Sequence, residues 1–259
     1  THINLMNYYE NVVVEEQTNS LDKDTINNLI LSNIMKLSKN IGEEYSYGRM
    51  ITFMFKSVSK TTRMIGFQHG PSSMRKMVYM AAKKELSIDG DGIKTFPVPD
   101  EILSEEAFTK YIYTKAGYKN VEIMKKIYRL SYLNKVNRKN YDQNTVLIAP
   151  GLHDGKFLLN NLQWLIEKDK DTKYFLKPHP RANNGYIDSF LYLNNLSITN
   201  ESVVHLLSMV GKVYATYSSV AIEAYVLGID VEVVEMPGKI NESPLLDENF
   251  QKIAKNIRY

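Results

Sequence analysis

Lys173-Tyr-Phe-Leu-Lys-Pro-His-Pro-Arg181 and Val213-Tyr-Ala-Thr-Tyr-Ser-Ser-Val-Ala-Ile-Glu-Ala-Tyr-Val-Leu-Gly228 are the two stretches that decide the fold. Each begins as a short apolar run of β type and changes to a polar cluster where a strand would end. In a parallel α/β sheet, the strand ends form the edge that binds ligands. The two stretches therefore predict one ligand site divided between two strand ends.

The pattern around these stretches alternates between short apolar strands and helical segments. Strands are predicted over residues 146–149, 174–176, 196–198, 213–215 and 231–234. Helices, with apolar residues recurring at three and four positions, are predicted over residues 156–167, 185–193, 201–209 and 219–227. Repeated strand-helix-strand units indicate a parallel, doubly wound, Rossmann-like sheet.

The first half of the chain carries the same alternation less regularly. Strands are predicted over 12–15, 64–68 and 101–103, and helices over 22–38, 47–58, 72–83 and 105–116. The polar stretch 134–144 has almost no apolar content, so we interpret it as a hinge. The predicted fold is α/β, with two Rossmann-like domains, 1–140 and 141–259, that face each other across a cleft.

Composition excludes several classes of protein. The chain has 259 residues, 44% of them apolar, and a net charge of +3, which is too small to indicate nucleic-acid binding. It has no cysteine and no apolar run near the ~20 residues that cross a bilayer. We therefore expect a cytoplasmic protein, at most in peripheral contact with the inner face of the cytoplasmic membrane. Thr1 stands in place of an initiator Met, so we also expect a processed or truncated product.

Four residues of the two stretches are candidates for binding an anion. Lys177 and His179 lie among prolines that restrict the backbone, with Pro180 completing the turn, and offer cationic and imidazole donors. Ser218 and Ser219 stand where a helix begins, so hydroxyl and backbone N–H groups can face a phosphate. The alternatives are structural: a histidine held by backbone contacts, and serines that only cap the helix.

Two further features accompany this cluster. Glu223 lies about one turn into the helix that ends near Gly228, and a carboxylate in so apolar a helix needs a partner, for which the hydroxyls of a ribose are one candidate. Gly151 and Gly155 lie in a strand-loop-helix turn whose exposed N–H groups are suited to phosphate.

These residues resemble the donor-binding half of GT-B glycosyltransferases, most closely bacterial enzymes that use CMP-activated acidic sugars such as sialic acids, other nonulosonates and Kdo. The resemblance implies that His179 stabilises the departing CMP phosphate, that Ser218 and Ser219 hold it, and that Glu223 lies near the nucleotide ribose. It also implies a glycan or glycolipid acceptor, with the transferred sugar inverted at its anomeric carbon.

A second resemblance covers the first half of the chain. Arg63-Met-Ile-Gly-Phe-Gln-His-Gly70, Pro99-Asp-Glu-Ile-Leu103 and Ala116-Gly-Tyr118 are similar to a motif series of surface-carbohydrate biosynthesis proteins. Glycosyl transfer requires a base that deprotonates the acceptor hydroxyl. We expect Glu44 in this role, with Glu43 and His69 as alternatives; Glu43 and Glu44 also suit the positive end of the following helix.

Asp154 is a further candidate base, because His153-Asp154-Gly155 is similar to an Asp-Gly motif of some sialyltransferases. Its position at the start of the second half favours a loop that contacts phosphate. No Asp-x-Asp motif is evident, so we expect no metal and no other cofactor besides the donor. Two other functions remain open: a CDP-polyol phosphotransferase or UDP-sugar enzyme of the same fold, and a non-catalytic nucleotide-binding protein.

Overall fold

The computed structural model divides the chain into two compact units. The described residues are 2–4, 11–15, 46–58, 61, 63–68, 70, 72–76 and 98–257. The first unit comprises Thr1–Gly70 and Lys76–Lys125, and the second comprises Pro71–Arg75 and Lys126–Tyr259. Each contains a five-stranded sheet in its described part.

The first unit is a mixed α/β structure. In chain order its described elements are β1 His2–Asn4, β2 Asn11–Glu15, α1 Ser46–Val58, β3 Arg63–Phe67, β4 Glu101–Ser104, α2 Ala107–Lys115 and β5 Val121–Ile123. The strands lie in the order β1-β2-β3-β4-β5. β1, β2 and β3 pair antiparallel, whereas β3, β4 and β5 pair parallel.

Two small apolar clusters support this sheet. Met64 of β3 is fully buried beneath Ile51 and Phe55 of α1, which lie four positions apart and so share one face of that helix. Toward the β5 edge of the same sheet, Tyr113 of α2 packs with Ile102 of β4 and Val121 of β5. The sequence periodicity of both helices is thus explained by burial.

The second unit is the Rossmann-like part of the chain. Its elements are a 3-10 helix Tyr128–Lys135, β6 Asp142–Ala149, α3 Gly155–Lys168, β7 Lys173–Leu176, a 3-10 helix Ile187–Phe190, β8 Leu196–Ile198, α4 Val203–Met209, β9 Val210–Ala215, α5 Ser219–Val226, β10 Asp230–Val233, a 3-10 helix Pro244–Leu246 and α6 Glu248–Ala254. All five strands pair in parallel, in the order β10-β9-β6-β7-β8. This confirms the predicted α/β class and the parallel sheet.

The core of the second unit forms between the sheet and α3. Leu158, Leu162 and Ile166 recur on one face of α3 and are buried against Ile148 and Leu176 at the sheet centre. β6 is apolar on both faces over its last four residues because both of its neighbours are strands and both sides of the sheet are covered. This packed core supports the loops at the carboxyl ends of the strands.

Two predicted helices differ from the structure. The predicted helix over 185–193 is only the 3-10 helix Ile187–Phe190, because the run is short and is bounded by asparagines and Gly185, which favour turns. Residues 72–76, at the start of the predicted helix 72–83, are not helical, and 77–83 lie outside the described residues. The predicted helix over 22–38 also lies outside them.

The predicted hinge belongs to the second unit. Leu130 and Leu133 of the first 3-10 helix are almost completely buried, and the Arg138 guanidinium donates hydrogen bonds to the carbonyl oxygens of Leu207 and, at 3.0 Å, Val210. Residues 142–144 already form the start of β6. The unit boundary therefore lies at 125/126, and residues 126–140, predicted to belong to the first domain, are in the second unit.

Candidate functional site

The order of the second sheet locates its ligand-binding edge. From β6 the chain proceeds to β7 and β8 on one side, then returns to β9 and β10 on the other. β6 and β9 are neighbours whose last residues, Ala149 and Ala215, lie in register. In open parallel sheets, ligands bind beyond the carboxyl ends of the strands where the order reverses. The loops that follow β6, β7 and β9 all begin at this edge. β7 and β9, the strands that open the two stretches quoted first, lie on either side of β6 in one sheet.

His179 lies in the loop after β7, and its orientation is fixed by the backbone. The Arg181 N–H donates a hydrogen bond of 3.2 Å to His179 Nδ1. In the neutral ring the proton is therefore on Nε2, which becomes the donor available to a ligand. Burial lowers the pKa of the imidazole below its usual value and Arg181 lowers it further, whereas the Asp154 carboxylate raises it. His179 is thus half-buried and neutral at pH 7.

Lys177 and Pro180 have structural roles in the loops at this edge. The Lys177 ammonium donates a 2.7 Å hydrogen bond to the backbone carbonyl of Glu201. The backbone N–H of Lys177 donates to the carbonyl of Ile148 and so continues the pairing of β7 with β6. Lys177 therefore holds the loop after β8 against β7. Pro180 is exposed and completes the turn around His179.

Ser218 precedes α5 at the end of the β9 loop. Its backbone is extended, as in a helix cap, but its hydroxyl makes no cap hydrogen bond within the described part of the chain. Ser219 is exposed, and its hydroxyl bonds to Glu223 four residues later. The first N–H groups of α5 and the Ser218 hydroxyl consequently offer donors at the ligand-binding edge. Simple capping does not explain Ser218.

Glu223 is buried and has partners that the sequence analysis missed. The Tyr132 hydroxyl hydrogen-bonds to its carboxylate, and the Arg129 guanidinium lies 3.8 Å from Oε1. Burial raises the pKa of Glu223, while the bond from Tyr132 and the charge of Arg129 limit that rise. The chain itself therefore offsets part of the cost of burying Glu223 in an apolar helix. No local pattern could have identified partners some 90 residues away.

Asp154 forms a buried network with the β9 loop. The Thr216 hydroxyl donates to Asp154 Oδ2 and accepts from the Gly151 N–H at 3.3 Å. Asp154 Oδ1 is buried without a hydrogen-bond partner among the described residues. Thr216, which sequence reasoning missed, stands two residues before Ser218 in the same polar cluster, and that position was the available signal.

The two glycines of the β6 loop allow close packing of side chains. A Cβ at Gly151 would lie 2.7 Å from the Tyr217 carbonyl oxygen and 3.0 Å from Asp154 Oδ2. A Cβ at Gly155 would overlap the Tyr186 hydroxyl, which lies buried over the start of α3. At Gly151 the N–H bonds Thr216, so the glycines serve at least partly to bring Asp154 and Tyr186 close to the backbone.

In the first unit, the motifs of the second resemblance hold loops together. Gln68 accepts from the Glu105 N–H at 2.7 Å and donates to the Gly70 carbonyl at 2.7 Å. Asp100 accepts from the Met64 N–H at 2.8 Å. Gln68 thereby links Gly70 to the residue that follows β4. His69 itself, Glu43 and Glu44 lie outside the described residues, so their proposed roles stay predictions.

Within the described residues, no group of three or more His, Asp or Glu side chains is arranged to hold a metal ion. No helix of the described ranges combines the length and the apolar character that a bilayer span requires.

Comparison with known proteins identifies the fold. No protein-family model and no curated protein matches the sequence. Among solved structures, UDP-GlcNAc 2-epimerase from Neisseria meningitidis, bound to UDP-GlcNAc, is similar over 89% of this chain and 68% of its own, with a TM-score of 0.54 and 12% identity. A candidate UDP-N-acetylglucosamine 2-epimerase from Listeria monocytogenes is similar over 89% and 67%, with a TM-score of 0.52 and 12% identity. The likeness shows the fold alone, which is that of GT-B enzymes with two Rossmann-like domains.

Proposed function

We propose that this chain binds a nucleotide-activated sugar at the carboxyl edge of its second sheet and transfers the sugar to a glycan or glycolipid acceptor. The observation that carries the proposal is the convergence at one strand edge of an oriented His179 and an uncapped helix start at Ser218. Both offer hydrogen-bond donors where GT-B folds place ligands.

These donors suit a departing nucleotide phosphate. As the bond between the sugar and the nucleotide phosphate breaks, negative charge develops on the phosphate oxygen. His179 Nε2–H, the Ser218 hydroxyl and the first N–H groups of α5 are already oriented, so they stabilise this charge without reorganisation. Transfer by this route needs no metal ion, and the displaced phosphate leaves from the face opposite the acceptor, which inverts the anomeric centre.

The base belongs to Glu44, with Glu43 and His69 as alternatives. Asp154 is less suited, because one carboxylate oxygen accepts from Thr216 and the residue is only 6% exposed. A base must reach the acceptor hydroxyl. Asp154 instead holds the β6 and β9 loops together beneath the phosphate site.

For the donor, the His-Pro and Ser-Ser motifs favour a CMP-activated acidic sugar. The second candidate is a UDP-sugar enzyme, and the specific observation behind it is the likeness to a UDP-GlcNAc 2-epimerase bound to its UDP-sugar. A lipid-linked acceptor would place the protein at the inner face of the cytoplasmic membrane, in keeping with its pI of about 8.7.

Calorimetric titration of the purified chain with CMP, CDP and UDP tests the proposal. We expect CMP to bind most tightly, and Ser218→Ala and His179→Gln each to weaken it. Preference for UDP would favour the second candidate. Absence of binding by all three nucleotides would contradict the proposal, and tight CMP binding without turnover of CMP-sugars would identify a non-catalytic nucleotide-binding protein.

A further inference from the structure

Two serine hydroxyls of the second unit are buried without an evident structural purpose. Ser72 and Ser73 are 1% and 3% exposed, and neither hydroxyl has a hydrogen-bond partner in the described part of the chain. Native proteins pair nearly all buried polar side chains, so two adjacent exceptions indicate groups that are kept for a ligand.

Their segment is fixed to the ligand-binding edge of the second sheet. The guanidinium of Arg75 donates a 3.1 Å hydrogen bond to the backbone carbonyl of Asn241. The Asn241 side-chain amide in turn donates to the carbonyls of Val234, at 3.3 Å, and Thr216, at 3.5 Å. Val234 follows β10 and Thr216 follows β9. Residues 72–75 are therefore held beside the loop that carries Ser218.

We propose that Ser72 and Ser73 bind the sugar of the nucleotide-activated donor through its polar oxygens. This rests on the proposed function, which places the donor phosphate at Ser218. In such a donor the group bonded to that phosphate is the sugar. Hydroxyls suit it, because each can donate to a sugar hydroxyl or carboxylate oxygen and can accept from a sugar hydroxyl. Arg75 contributes positioning only, since it already bonds Asn241 and lies 3.7 Å from Glu235.

The test compares free nucleotides with sugar nucleotides. Ser72→Ala, Ser73→Ala and the double variant are titrated by calorimetry with CMP, UDP, CMP-N-acetylneuraminate and UDP-N-acetylglucosamine, and their Tm is measured without ligand. Ser208→Ala is the matched control, because its hydroxyl bonds the His205 carbonyl in α4, away from the strand edge. We expect unchanged Kd for free nucleotides and a loss of about fivefold per hydroxyl for the preferred sugar nucleotide.

The ligand-free Tm separates a binding role from a structural one. Since no hydrogen bond within the described residues is lost, we expect the Tm of the double variant to stay constant or rise. A fall in Tm, equal weakening of free nucleotides, or unchanged sugar-nucleotide affinity overturns the inference. So does a parent chain that binds its nucleotide no more tightly when the sugar is attached. That last result leaves nucleotide binding intact, whereas a parent chain that binds no nucleotide contradicts the proposed function itself.

Discussion

His179 has a pKa lowered by burial and a fixed tautomer, and both bear on how nucleotide binding depends on pH. In the free protein the ring is neutral at pH 7, whereas a bound phosphate favours the imidazolium form. Between the lowered pKa of the free protein and the higher pKa of the complex, binding takes up a proton. We therefore expect CMP affinity to increase as the pH falls from about 8 to about 6.

Calorimetry in buffers of different ionisation enthalpy measures this proton uptake directly. His179→Gln, which keeps a hydrogen-bond donor but does not titrate, is the control. Because the CMP phosphate itself has a second pKa of about 6, the prediction is that the parent chain takes up more protons than this variant does. An uptake equal to that of the parent chain would mean that another group titrates on binding.

Glu223 makes the stability of the folded chain depend on pH. Burial raises its pKa in the folded chain above the unfolded value. Below the unfolded pKa of about 4.5 the carboxyl is neutral in both states, and stability is lost as the pH rises from there through the raised folded pKa, because the unfolded chain ionises first. We expect the unfolding free energy of the parent chain to fall relative to Glu223→Gln over this range. Urea denaturation at several pH values measures the difference, and a difference that grows in the opposite direction would contradict the assignment.

At the scale of elements, α4 and α5 provide a matched pair of helix starts. Ser202 caps α4 by accepting a 3.2 Å hydrogen bond from the His205 N–H, whereas the Ser218 hydroxyl makes no such bond to α5 in the described structure. Ser202→Ala should therefore lower the unfolding free energy by about 1 kcal/mol and leave nucleotide affinity unchanged. Ser218→Ala should do the reverse, with little loss of stability and weaker CMP binding. Equal loss of stability in both variants would make Ser218 a simple cap.

The elements also show how far sequence reasoning extends. Apolar runs and the 3.6-residue period located β6, β7, β9 and α3 within a few residues, because burial against one sheet imposes those patterns. Partners distant in sequence carry no such signal: Tyr132 and Glu223 meet only after the fold forms. The polar composition of 134–144 misled the interpretation of the hinge, because the contacts that hold it to the second unit are the burial of Leu130 and Leu133 just before it and the hydrogen bonds of Arg138 to backbone carbonyls distant in sequence.

At the scale of the whole molecule, the position of the unit boundary determines which part of the chain can fold alone. A fragment of residues 126–259 retains the 3-10 helix Tyr128–Lys135, and it lacks only residues 71–75 of the second unit. A fragment of residues 141–259, cut at the hinge expected from sequence, loses Leu130 and Leu133, each worth about 2 kcal/mol of burial. It also loses Tyr132 and Arg129, which leaves the buried Glu223 with the Ser219 hydroxyl but without its other partners. The Arg138 guanidinium, which bonds the carbonyls of Leu207 and Val210, is lost as well.

These losses together are comparable to the total stability of an ordinary domain. We therefore expect the 126–259 fragment to unfold cooperatively and to show a CMP-induced rise in Tm, because His179, Ser218 and their supporting loops all lie within it. The 141–259 fragment should show neither. Circular dichroism melts with and without CMP measure both properties, and Leu133→Ala in the longer fragment, expected to lose 2–5 kcal/mol, serves as the intermediate control. Equal stability of the two fragments would mean that residues 126–140 do not belong to the folding unit of the nucleotide site.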